Sequence, residues 1–176
     1  MKLRIASMVG LALMFASAAG AQKKVSGKQQ CPKPEVVGTA DAGDKAGHTL
    51  TLVRSTCTWA TPLEMADEKS KDGISVAFAE MSSTRATNSG TYVGNMDNGD
   101  KFYVSFHDSA FVKDGKPQGI KGTWAYTGGT GKLKGITGKG TYTVTLSDDG
   151  SGVADVEGDY VLPAAAPKKA MAKKPT

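Results

Sequence analysis

The first side chain placed to do chemistry is Glu80. In the run Ile74 to Ser82, strict alternation puts Glu80 on the face of Ile74, Val76 and Phe78, opposite Ser75, Ala77 and Ala79. A carboxylate entering an apolar enclosure is held toward its neutral form and can serve as an acid or a base. The alternative is a strand that ends or bulges there, because Ser82, Ser83 and Thr84 follow at once and would leave the carboxylate solvated. His107 shares a strand face with Tyr103 and Ser105, so a His/Tyr pair can line the mouth of a pocket. Trp124 shares a face with Tyr126 and joins Glu80, Tyr103 and His107 as a candidate ligand-binding residue. His48 opens another strand and can act in the same way. The two His stand in neither an i, i+4 nor an H-x-H arrangement, so no metal site is expected. No G-x-S-x-G elbow is present, and no catalytic residue is assigned. Asp155, Glu157 and Asp159 alternate on the last strand, where a solvated outer face explains them more simply than calcium does.

Twelve of the 22 Gly fall between Gly115 and Gly158, densest from Thr127 to Tyr142. A phosphate-binding loop is the tempting reading, and it fails. Lys132 is followed by Leu133 in place of Ser or Thr, and no Gly stands five places before Gly131. The dinucleotide fingerprint fails as well, because position 134 is Lys. No cofactor is implied.

The elements that must position these residues are strands. His48 to Trp59 is rich in Thr, Val and Leu; Pro62 stops it, and Leu63 to Lys71 reads as a polar connection with room for one helical turn. Extended runs follow at Ile74–Ser82 and Thr84–Met96. Asn98-Gly99, Asp114-Gly115 and Asp149-Gly150 then mark three hairpins, each read as a type I′ turn with positive φ. Phe102, Val104 and Phe106 lie on one face, Tyr103, Ser105 and His107 on the other. Seven or eight sequential strands on tight turns avoid exposed edges by closing, so an all-β antiparallel barrel of about eight strands is expected, with a sandwich as second choice.

The stretch Gly128-Gly129-Thr130-Gly131, with Leu133, Lys134 and Gly138, resembles the strand-to-strand motif of the allene oxide cyclase and dirigent barrels. The chain also resembles bacterial exported proteins of uncharacterised function that carry such a segment. Their "GH…TCTW" strand is matched by Gly47-His48 and Thr56-Cys57-Thr58-Trp59, and their "NGDK(F)" hairpin by Asn98-Gly99-Asp100-Lys101-Phe102. The bacterial resemblance spans most of 47–145, the plant one about a dozen residues. It implies an eight-stranded barrel in which the Gly-rich stretch is a bent loop and strand entry. Dirigent proteins steer phenoxy-radical coupling and allene oxide cyclases close a fatty-acid-derived ring. Nothing beyond the glycine motif matches their working positions, so the resemblance carries over no catalytic residue.

The ends set the compartment. Residues 1–21 read as a signal peptide: Lys2 and Arg4, an apolar core from Val9 to Phe15, and a small-residue site at Ala19-Gly20-Ala21. That core is too short for a permanent membrane span, and no Cys follows the site to carry a lipid. A periplasmic or secreted protein is expected. Export allows Cys31 and Cys57 to form a disulfide, closing a loop of about 25 residues and contributing about 3 kcal/mol. Residues 22–46 read as an extension tied down by Cys31, 47–162 as the barrel, and 163–176 (PAAAPKKAMAKKPT) as a disordered tail. The formal net charge of +5 divides unevenly. Residues 35–162 hold 12 Lys and Arg against all 17 acids, so the expected barrel is near −5 and the cationic surplus sits at the ends. This removes the case for nucleic-acid binding by the fold, while leaving the Lys-rich ends able to touch an anionic envelope surface. The function expected is enclosure of a small hydrophobic or aromatic molecule, or a structural envelope role. A cofactor-free isomerase or cyclase and an envelope-docking protein are the alternatives.

Overall fold

The computed structural model describes residues 21–164, so all of the signal segment but Ala21, and the tail from residue 165, lie outside the described residues. Ten strands are present: β1 (Lys23–Cys31), β2 (Glu35–Asp41), β3 (Thr49–Thr61), β4 (Glu64–Met65), β5 (Glu68–Met81), β6 (Arg85–Met96), β7 (Lys101–Lys113), β8 (Lys116–Gly129), β9 (Thr137–Leu146) and β10 (Gly152–Val161). Eight of them close an antiparallel barrel in the order β1, β10, β9, β8, β7, β6, β5, β3 and back to β1. Among the described residues there is no α-helix, only a 3-10 turn at Gly131–Leu133.

The barrel begins at Lys23, not at residue 47. β1 pairs with β10 along its whole length, from Lys23 opposite Tyr160 to Cys31 opposite Gly152, and meets β3 at Gln29–Trp59 and Gln30–Thr58. The Cys31–Cys57 disulfide fastens β1 to β3 beside that pairing. Pro32 and Pro34 then interrupt the chain, because proline supplies no N–H to a ladder, and β2 continues along the first half of β3. The cations of this segment therefore belong to the domain. Lys24 binds Asp159 at 2.8 Å and Lys28 binds Asp155 at 2.9 Å, so two of the three alternating acids of the last strand face lysines. Residues 22–162 hold 16 Lys and Arg against 17 acids, and the barrel is close to neutral instead of near −5.

Asp114-Gly115 forms the expected type I′ turn, with φ of 52° and 72°. At the other two hairpins only Gly99 and Gly150 take positive φ, because these loops are longer. Each is a turn closed by the glycine N–H donating three residues back, to Met96 and to Ser147. The connection expected at Leu63–Lys71 is a hairpin, with Ala66 and Asp67 at φ 55° and 63° joining β4 to β5. It turns Leu63 and Met65 inward as a plug, 3% and 0% exposed.

That plug seals one end of the barrel. Leu63, Met65, Met96, Phe102, Leu133 and Ile136 pack there with Val25, Tyr126 and Tyr160. The Gly-rich stretch is the outer cover of the same end. Asp100 in the β6–β7 turn accepts the Lys132 N–H at 2.9 Å, and Thr130 exchanges hydrogen bonds with the backbone of Lys101 at 2.8 Å each way. Its work is closure.

On β7 the alternation has the expected sense, with Phe102 and Val104 buried and Phe106 half-buried inside the barrel. On β5 it is inverted. Gly73, Ser75, Ala77 and Ala79 face inward, while Ile74, Val76 and Phe78 are 37%, 39% and 50% exposed on the outside. The reason is volume. Tyr92 lies over this wall, where a Cβ on Gly73 would stand 2.3 Å from its ring, and Phe106 lies over the neighbouring Gly90, where a Cβ would stand 2.7 Å from it. Only the small-residue face of β5 fits against them.

Candidate functional site

The sealed end and the aromatic wall leave a cavity of about 240 Å³ inside the barrel. Its floor is Phe102 and Tyr126; its walls include Trp59, Tyr92, Phe106 and Trp124, with small residues of β5 opposite. It reaches the surface at Pro34, an exposed residue in the gap where β1 ends and β2 begins. The aromatic rings hold one another edge-on. Trp124 and Tyr126 have centroids 4.9 Å apart at 72°, and Phe106 and Tyr142 stand 6.3 Å apart at 82°. Each polar tip has a partner: Trp59 Nε1 donates to the Tyr92 hydroxyl at 3.1 Å, and Trp124 Nε1 donates to the Thr141 carbonyl at 3.3 Å. The wall is preformed and apolar.

Gln29, Ser55 and Ser75 also line it, and one buried cluster carries a charge-bearing group. Asp108, 6% exposed, lies on β7 directly opposite Asn88 of β6 and Gly122 of β8. Asn88 Nδ2 donates to its Oδ1 at 2.7 Å, and the Tyr142 hydroxyl donates to its Oδ2 at 2.6 Å. Tyr142 sits on β9, one strand beyond β8, and reaches Asp108 only by crossing Gly122. A Cβ at Gly122 would stand 2.4 Å from the Tyr142 ring, so a side chain there would close the passage. Burial raises the pKa of the Tyr142 phenol, and the negative charge of Asp108 adds to it. Burial does the same to Tyr92 and Tyr126. All three phenols stay protonated at ordinary pH, so they offer hydrogen bonds and no nucleophile. Among the described residues, the cavity lining contains no Lys, Arg or His.

Of the four candidate ligand-binding residues read from the sequence, Trp124 alone lines this cavity. Glu80, Tyr103 and His107 stand on the outer face. Glu80 does share a face with Ile74, Val76 and Phe78, but that face points to solvent for the reason given above. Its Oε1 lies 2.9 Å from His48 Nε2, and His48 Nδ1 lies 2.5 Å from Asp44 Oδ1, tying the β2–β3 loop to β5. The hydrogen bond to Asp44, then that to Glu80, raise the pKa of His48 above 6.5. His107 is exposed, with Nδ1 2.9 Å from Ser89 Oγ; Tyr103 is half-buried outside, its ring against Gly128. Among the described residues, no group of three or more His, Cys, Asp and Glu is placed to hold a metal ion.

Sequence reasoning passed over Asp108, Asn88 and Tyr142. The signal for Asp108 was present: it continues the alternation Phe102, Val104, Phe106 as plainly as Glu80 continues Ile74, Val76, Phe78.

No family model matches the chain, and no curated protein matches it. Among solved structures, the fold is similar to a protein with unknown function from the DUF3224 family of Shewanella oneidensis MR-1, at 18% identity and a TM-score of 0.46, covering 82% of this chain and 100% of that one. No helix among the described residues is long and apolar enough to cross a membrane.

Proposed function

We propose that this small β-barrel is an exported binding protein that encloses a small apolar or aromatic molecule. The observation that carries the reading is the cavity: about 240 Å³ of preformed, aromatic-walled space with a mouth at Pro34 and one buried polar cluster. Sites of this kind bind by excluding water from an apolar body while a few fixed polar groups orient it. The volume lies just under the range of about 300–1,000 Å³ usual for small-molecule pockets, so the occupant is a small molecule. The disulfide is consistent with an oxidising, exported location. The glycine motif from Gly128 to Gly138 supports assigning the barrel to the allene oxide cyclase and dirigent type, at the level of architecture only.

Native mass spectrometry of the protein purified from its own host tests this. A discrete small-molecule adduct, released on unfolding, is the expected result. A bare mass, together with a melting temperature unmoved by excess p-cresol, would reject the binding reading, because a ligand of the folded state alone must raise apparent stability.

A further inference from the structure

The electrostatics of the cavity are one-sided. Among the described residues, Asp108 is the only acid in the lining, it is nine-tenths buried, and no described Lys, Arg or His pairs with it. Two neutral donors, the Asn88 amide and the Tyr142 hydroxyl, take one lone pair on each of its oxygens. A carboxylate offers about four acceptor sites, so acceptor capacity remains on Asp108, which lines the cavity. A buried charge left without a counter-charge is costly, and a partner that brings one gains correspondingly. The surrounding rings favour the same sign of guest. Trp59, Tyr92, Phe106, Trp124 and Tyr142 line the cavity, and a cation lying over the negative face of such a ring is attracted to it, most strongly over Trp.

Resting on the cavity reading above, we infer that the occupant is a small organic cation, a protonated amine on an aromatic or short apolar body, with its ammonium group donating to Asp108 and its body against the rings. An anion is excluded: it would meet Asp108 and find no basic side chain in the lining. A neutral molecule fills the same space and leaves Asp108 without a counter-charge.

Three probes of one shape separate these cases: 2-phenylethylamine, 2-phenylethanol and 3-phenylpropanoate, titrated into the full mature protein and followed by calorimetry and by the fluorescence of Trp59 and Trp124. The amine is expected to bind at least about 10-fold more tightly than the alcohol, the scale of a hydrogen bond to a charged group, and the carboxylate not at all. In Asp108→Asn the amine advantage is expected to vanish while the alcohol binds within about 3-fold of its original affinity. Equal or tighter binding of the alcohol by the original protein would overturn the cation inference and leave the cavity reading standing. An amine preference that survives in Asp108→Asn would overturn it too. Failure of all three probes to bind would overturn the cavity reading and the inference together. If Asp108→Asn does not fold, the comparison of three probes on the original protein still decides.

Discussion

The inverted strand β5 gives the sharpest test of the packing, because sequence pattern and structure assign opposite costs to the same residue. Phe78 belongs to the apolar face, and a reading that turns this face inward makes it a core residue whose loss costs about 3–5 kcal/mol. The structure leaves it 50% exposed. Full burial of a Phe side chain is worth about 1.5–3 kcal/mol, so half of it comes to about 1 kcal/mol. The contact with Leu52, its partner across β3, adds at most a further ~1 kcal/mol. Phe78→Thr, which keeps a good strand former, is therefore expected to cost about 1–2 kcal/mol. Two controls set the scale. Phe102→Ala removes a ring that is 1% exposed and is expected to cost about 3–5 kcal/mol. Gly73→Ala adds one methyl group on the inward face, 2.3 Å from Tyr92, and is expected to cost about 1–3 kcal/mol through overpacking. Urea unfolding of the four proteins, compared at equal m-values, measures the differences. A Phe78→Thr penalty matching that of Phe102→Ala, with Gly73→Ala neutral, would refute the assigned facing of β5.

Two further outcomes follow from the ties that hold the ends of strands. Removing the disulfide in a Cys31→Ser, Cys57→Ser double variant opens a loop with a sequence separation of 26 and is expected to cost about 3 kcal/mol in the chain-entropy model; a midpoint in urea that does not move would contradict it. His48 has a folded pKa raised above 6.5, chiefly by its hydrogen bond to Asp44 and then by that to Glu80. Its stabilising effect is accordingly complete below the unfolded pKa of about 6.5 and declines as pH rises through the folded value. The melting temperature of the original protein minus that of His48→Gln is expected to shrink as pH rises through this range, and a gap that widens with pH would show the opposite linkage.

What the sequence made legible, and what it concealed, can be separated strand by strand. Closure and strand number followed from turn chemistry and the need to leave no edge, both properties of short stretches. β1 was concealed because nothing local marks it: Lys23–Cys31 has one buried hydrophobic residue before its cysteine, Val25, and pairs with β10 more than a hundred residues away. Its lysines read as a charged extension when their acids, Asp155 and Asp159, were seen only as the solvated face of another strand. The candidate site failed in a different way. Alternation divides a strand into two faces and does not say which is inside; β5 and β7 have the same pattern and point opposite ways. What decides is volume summed around the barrel. The rings of Tyr92, Phe102, Phe106, Trp124 and Tyr142 fill the interior from β6 to β9, so the facing strand must contribute its small residues and turn its large ones to solvent. Glu80 on β5 and Asp108 on β7 each continue an apolar alternation in this chain. Only the one on the aromatic face can be the polar group of an enclosed site, because only that face has no room elsewhere in the fold.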